Sequence, residues 1–363
     1  MINKNIFKVI TFLSKNFTLG ILLFGFSVAS TETLDKLSFE LDPQGKILVI
    51  GHINGDGPFV FGLDTGAEKT VISPNTNLFT SLTSLSKTDS IQEPILKKVA
   101  HSEIINELII GNITQENFKV IVMPLSHLTR GEYSLNGIIG QDFLNNYDLE
   151  IDFPKRILRF YTKAYNFETC DVCVMDGLKI PFENKFGGLL KLGLTLNDLT
   201  ISGLLDTGTG LTTVNKSTVF ALGYDMKTLR ANEPNQGLNS RFTNIDKIKR
   251  LIEEDRNKDP IRNKSPQTRY LVKNSNEEEY LNSPLSDLKV YRIPISKISY
   301  ENKSIKRYQS IAYIELPIFR QLGFGAKPFA LFGTDLFQRK TLRISNGMKF
   351  ISISNSDVLL IDP

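Results

Sequence analysis

The sequence predicts an all-β protein built as two pseudo-symmetric β-barrel lobes that face each other across a cleft, with few short helices. Three observations carry that prediction. Asp-Thr-Gly occurs at Asp64–Gly66 and again at Asp206–Gly208, 142 residues apart, each time at the end of an apolar run. The upstream chain alternates as a strand, a turn and a second strand in both places. Downstream, two apolar residues and a Gly open a second repeated segment, at Gly137 and at Ala330, with an offset of 193.

The first thirty residues stand apart. Lys4, Lys8 and Lys15 appear with no acid, then an apolar stretch from Phe17 to Val28, then Ala29 and Ser30. That is the layout of a secretory signal peptide over residues 1–30. The apolar run is short for a membrane span, so cleavage near Ala29 or Ser30 is expected and no stable span remains afterwards. An uncleaved anchor is the alternative. No Cys lies near the exit, which argues against a lipid anchor. The three leader lysines supply most of the formal net charge of +4. The remaining chain therefore lacks the basic footprint of a nucleic-acid-binding protein.

Residues 31–165 form the expected N-terminal lobe. "GKILVIGHI" (Gly45 to Ile53) and the run ending at Leu63 read as paired strands, with a strong turn at Asn54–Gly57. Residues 166–180 read as the connector between lobes. Cys170 and Cys173 lie there as C-x-x-C, with no second pair for zinc, so a local disulfide is the plain expectation in an exported chain. Residues 181–363 form the expected C-terminal lobe. "LLKLGLTL" (Leu189 to Leu196) repeats the strand pattern, and "NDLT" (Asn197 to Thr200) takes the place of the turn.

In the downstream repeat, Gly140 aligns with Gly333, Asp142 with Asp335, Leu149 with Leu342 and Ile151 with Ile344. Because the second offset exceeds the first, the C-terminal half holds an insertion. It lies at about 230–287, is rich in polar residues, and reads as a surface loop. One piece is predicted helical: Ile245, Ile248, Leu251 and Ile252 share a face, and Thr243 is the candidate cap.

If the two Asp-Thr-Gly turns meet between the lobes, their carboxyl groups share one site. Two carboxylates in contact cannot both ionise cheaply, so one keeps a proton. The charged member acts as base on a water; the protonated member donates to the carbonyl oxygen of a scissile amide. Asp64 and Asp206 are the catalytic candidates. Thr65, Gly66, Ala67, Thr207, Gly208 and Thr209 are the supporting loop residues. The threonines are stiff at χ1 and their hydroxyls are able to bond across to the opposite lobe; the glycines allow a tight turn. Thr209 faces Ala67 in the alignment. Its hydroxyl is expected to donate to Asp206, which would make Asp206 the more acidic member. Asp142 and Asp335 are expected to cap short helices.

These residues resemble the aspartic proteases, in particular the retropepsin-like branch. Asp64-Thr65-Gly66-Ala67 followed by Thr70-Val71-Ile72 is similar to that family's active-site strand and loop. Ile138-Ile139-Gly140 and Leu331-Phe332-Gly333 are similar to the element that threads behind it. With both halves in one chain, the arrangement resembles the pepsin-like enzymes. The resemblance covers most of residues 35–230 and 287–354. It implies acid-protease-type lobes, proteolysis of an extended polypeptide in the cleft, and no cofactor or metal. A monomer is expected. The family's Gly-rich flap has no counterpart in the corresponding stretch, about Lys87 to His101, which contains no Gly.

His52, His101 and His127 are scattered without a Gly-x-Ser-x-Gly elbow, and neither H-E-x-x-H nor a phosphate loop is present. The leading expectation is an exported aspartic endopeptidase, periplasmic or secreted. The alternative is a weakly active or inactive peptide-binding or regulatory protein on the same scaffold.

Overall fold

The computed structural model describes residues 33–74, 100–125, 135–163, 177–227, 229, 231–232, 245–258, 290–307 and 310–355. The N-terminal half runs through β1 (Thr33–Ser38), β2 (Glu40–Leu41), β3 (Ile47–Ile53), β4 (Asp56–Leu63), β5 (Val71–Ile72), β6 (His101–Ile110), β7 (Ile113–Val122), β8 (Gly137–Ile139), β9 (Tyr147–Asp152) and β10 (Ile157–Thr162). A short helix, α1 (Gln141–Leu144), separates β8 from β9. The C-terminal half runs through β11 (Leu178–Lys185), β12 (Leu189–Leu196), β13 (Leu199–Leu205), β14 (Thr213–Val214), β15 (Ala231–Asn232), β16 (Val290–Ile293), β17 (Lys297–Tyr300), β18 (Lys303–Arg307), β19 (Ile311–Tyr313), β20 (Phe329–Phe332), β21 (Lys340–Ser345) and β22 (Phe350–Asn355). Its helices are α2 (Lys216–Ala221), α3 (Ile245–Lys258) and α4 (Pro317–Gln321). The fold is all-β, as the alternating patterns predict.

The first lobe is the sheet β2-β3-β4-β8-β5-β7-β6, closed by pairing of β3 with β6. Asn54 and Gly55 both adopt positive φ, the geometry that a two-residue hairpin turn between β3 and β4 demands. β4 then pairs in parallel with β8, and β5 lies antiparallel on the other side of β8. The second lobe repeats this scheme, with β13 parallel to β20 and β14 antiparallel to it. Each Asp-Thr-Gly thus lies at the end of a strand flanked by the downstream apolar element.

A third layer joins the halves in the order β1-β10-β9-β21-β22-β11. Its centre is the downstream repeat pairing with its own copy. Leu149 faces Ile344 and Ile151 faces Leu342, while the repeat equates Leu149 with Leu342 and Ile151 with Ile344. A two-fold rotation therefore exchanges the two pairs. Between them, Glu150 faces Arg343, whose Nε donates to Glu150 Oε2 at 2.7 Å; Arg159 binds the other carboxylate oxygen. β11 begins within the stretch expected as connector, and Ile180 there already pairs with Ile351.

Part of the insertion departs from its reading as a surface loop. α3 forms where the apolar periodicity predicts it, but it packs on the opposite lobe. Ile248, Leu251 and Ile252 are buried in one cluster with Leu48, Ile50, Val60, Leu125, Leu135 and Ile138 of the N-terminal half. This explains why every residue of β3 is buried. Ile47, Val49 and Ile53 face the main core, whereas Leu48 and Ile50 lie under the helix. His52 Nε2 meets Asp255 Oδ2 at 2.8 Å and Lys247 meets Glu40 at 3.8 Å. The rest of the insertion between 259 and 289, Thr243, the leader over residues 1–30, and Cys170 and Cys173 lie outside the described residues. No helix among the described residues is long and apolar enough to cross a membrane.

Candidate active site

Both Asp-Thr-Gly turns are tied to their lobes by the same backbone bond. Asp64 N–H donates to Ile139 O and Asp206 N–H to Phe332 O, each at 3.0 Å. The threonines then cross the boundary. Thr65 N–H donates to Thr207 Oγ1 and Thr207 N–H to Thr65 Oγ1, both at 3.0 Å. Each hydroxyl donates onward to the opposite strand, Thr65 Oγ1 to Leu205 O and Thr207 Oγ1 to Leu63 O, both at 2.8 Å. Both threonines are fully buried, so every polar atom of the crossing is satisfied.

The crossing delivers the two carboxyl groups to one point, where their side chains hydrogen-bond to each other. Gly66 N–H donates to Asp64 Oδ1 at 2.7 Å and Gly208 N–H to Asp206 Oδ1 at 2.9 Å. The glycines leave room for the opposing acid. A Cβ on Gly66 would fall 2.6 Å from Asp206 Oδ1, and one on Gly208 would overlap the Asp64 carboxyl. Asp64 and Asp206 themselves keep partial exposure, so the pair is not sealed in the core.

Burial pushes both carboxyl groups above the usual range. The two acids also act on one another, so the raised titration belongs to the pair. The expected role of Thr209 is overturned. Its hydroxyl turns to Leu211 O at 3.2 Å, a carbonyl within its own loop, and does not reach the Asp206 carboxyl.

Asp142 and Asp335 also correct the reading made from sequence. The N-cap of α1 is Gly140, and Asp142 lies inside the first turn facing away from the helix axis. It accepts from Thr70 N and from Thr70 Oγ1, at 2.9 and 2.7 Å. Asp335 repeats this with Thr212, at 2.9 and 2.8 Å. Each threonine hydroxyl in turn accepts from the Gly behind the loop, Gly140 at 3.1 Å and Gly333 at 3.2 Å. These acids therefore clamp the strand that leaves each active-site loop. A signal existed for this: Thr70 and Thr212 keep the same offset as the two Asp-Thr-Gly motifs.

Gly140 and Gly333 permit the close approach this clamp needs. A Cβ on Gly140 would meet Lys69 C at 2.5 Å and one on Gly333 would meet Leu211 C at 2.7 Å. Ala67 O accepts Gln141 N–H at 2.8 Å, and the Gln141 side chain donates to Thr65 O at 3.0 Å. His52 is engaged with Asp255 and His101 with Glu103, so neither joins the acids. His127 and most of the stretch from Lys87 to His101 lie outside the described residues. Among the described residues no three His, Cys, Asp or Glu side chains gather as a metal ligand set.

Residues 49–146 match the family described as "gag-polyprotein putative aspartyl protease". A retropepsin-like aspartic protease from Rickettsia conorii is similar at 17% identity, over 35% of this chain and 90% of that one, with a TM-score of 0.26. Basic 7S globulin from soybean is similar at 8% identity, over 88% of this chain and 93% of that one, with a TM-score of 0.42. No curated protein sequence matches. Over residues 49–146, the segment that carries Asp64, the chain is similar to that aspartyl protease family.

Proposed function

We propose that this protein is an aspartic endopeptidase that hydrolyses peptide bonds with a water activated between Asp64 and Asp206. The single observation that supports this most is the hydrogen-bonded carboxyl pair, raised above the ordinary carboxylate range and held by two interlocked turns. Ionised Asp64 takes a proton from the water as its oxygen attacks the amide carbonyl carbon. Asp206 gives its proton to the carbonyl oxygen. As the tetrahedral species collapses, Asp64 gives its proton to the departing amine nitrogen and a hydroxyl of the former amide carbon returns a proton to Asp206, so both carboxyl groups regain their starting charge. No covalent intermediate and no cofactor enters this scheme.

The substrate on this reading is an extended polypeptide in the opening above the acids, and the working form is a monomer with both halves in one chain. The basic, then apolar, then small-residue pattern of residues 1–30 supports export to a periplasm or the medium. The test is cleavage of a denatured protein mixture from about pH 3 to pH 7, with and without a pepstatin-like inhibitor. Wild type cuts and is inhibited, while Asp64→Asn and Asp206→Asn do not cut. A folded wild type that binds peptides without cutting them would replace this reading with that of a binding protein.

A further inference from the structure

The hydrogen bonds around the two acids obey the pseudo-two-fold closely. Each Oδ1 receives one Gly N–H, and each Thr makes the same two bonds across the boundary. Such symmetric bonds do not decide which acid is ionised. The decision falls to a group that breaks the symmetry.

Lys46 is that group. It precedes β3, where Ile47 pairs with Leu63; carrying this register one residue further sets Lys46 opposite Asp64. Residues opposite one another in an antiparallel pair present their side chains on the same face. In the second lobe Lys191 pairs with Leu204, and carrying that register two residues further sets Leu189 opposite Asp206. Leu189 is buried in an apolar cluster. One acid therefore has a cation for its cross-strand neighbour and the other has hydrocarbon.

The turn that presents Lys46 is firmly held. Asp42 Oδ1 accepts N–H of both Gln44 and Lys46 at 2.8 Å, and Asp42 N–H donates to Lys46 O at 2.9 Å. Thr334 Oγ1, behind the other active-site loop, donates to Gly45 O at 2.7 Å. The second lobe thus helps set the lysine beside the first lobe's acid. The charged groups acting on Asp64 are Asp206 across the pair and Lys46 from this turn. Glu68 and Lys69, further along the loop, are exposed and lie 4.0 Å from each other. Attraction to Lys46 opposes the effect of burial at Asp64, while the largest effects at Asp206 are burial and the neighbouring Asp64.

We propose that Lys46 is a positioning residue that fixes Asp64 as the ionised acid and leaves the shared proton on Asp206. This deepens the proteolytic reading and rests on it for its consequence, which is that Asp64 is the base toward water and Asp206 the acid toward the carbonyl. The asymmetry itself belongs to the folded chain whether or not the chain cuts peptides.

The test follows the Asp carboxyl carbons by NMR titration in the full chain, with Asp206→Asn or Asp64→Asn used to isolate each acid. With Asp206→Asn, Lys46→Met raises the Asp64 midpoint by about one pH unit, and Lys46→Arg leaves it in place. With Asp64→Asn, Lys46→Met raises the Asp206 midpoint by clearly less than it raises that of Asp64, because Asp206 lies farther from the cation. Lys46→Gln serves as a second neutral variant should Lys46→Met not fold. In the otherwise wild-type protein the acidic limb of the pH–rate profile moves up with Lys46→Met and is restored by Lys46→Arg. An Asp64 midpoint that ignores loss of the cation, or equal movement of both acids, overturns the inference. Correct titrations in a protein that never cuts would instead overturn the proteolytic reading alone.

Discussion

Thr65 and Thr207 each accept the other's backbone N–H at 3.0 Å and are fully buried while doing so. The two residues lie 142 positions apart, so this contact joins two lobes and not two turns of one loop. It also sets the separation of the acids next to them.

Loss of one hydroxyl leaves a buried N–H and a buried carbonyl without partners. Thr65→Val and Thr207→Val should each destabilise the protein by about 1–3 kcal/mol. Thr→Ser at either position should recover most of that, since the hydroxyl returns. Urea denaturation of the four variants measures this; equal losses for Val and Ser would mean that the methyl, and not the hydroxyl, carries the contact.

Gly208 has no space for a side chain because the Asp64 carboxyl occupies it. Gly208→Ala should push the acids apart and reduce kcat/KM by ~100-fold or more, as a displacement of ~1 Å does at a reacting centre. Gly223, with open space around it, serves as the control for a simple Gly-to-Ala change near this lobe, although its positive φ adds modest strain. Peptide turnover at fixed pH separates the two.

Stability should depend on pH through Asp206. Its folded pKa lies well above the ordinary value of 3.8, so the native state binds the proton more tightly than the unfolded state. The stabilisation is fully present below the unfolded value and is lost as pH rises toward the folded value, by at most ~1.4 kcal/mol per pH unit. Asp206→Asn should reduce this slope and leave the part that Asp64, also raised by burial, contributes. Denaturation midpoints across the acidic range test it; identical slopes in wild type and variant would contradict the raised value.

Glu150 and Arg343 form a buried pair where the two halves join. Arg343→Met should cost about 3–5 kcal/mol by stranding a buried carboxylate, with Arg159 left as its remaining partner. Adding Glu150→Gln should return part of that loss. Thermal or chemical unfolding of the single and double variants reads the coupling directly.

Much of this protein was legible along the chain. Strand alternation, the Asn54–Gly55 turn, and both repeats follow from short-range rules, since side-chain period and turn φ are local properties. The joining sheet was not read from the repeat, because pairing of its two copies is a contact between distant strands. Site legibility stopped at the choice of polar partners. Asp142 and Asp335 stand where a helix begins, yet their oxygens bind Thr70 and Thr212. The Thr209 hydroxyl stands beside Asp206 in sequence, yet its geometry favours Leu211 O.

The chain by itself determined that two like turns, each bearing an acid on a strand end, recur with a common downstream element. Only the tertiary structure decided that α3 leaves the C-terminal half to cover Leu48 and Ile50, and that the Thr209 hydroxyl binds Leu211 O and not Asp206. The reason is the range of the forces: periodicity and turn preference act within a few residues. A buried hydroxyl, a helix face or a shared proton goes to whichever partner the folded chain brings within reach.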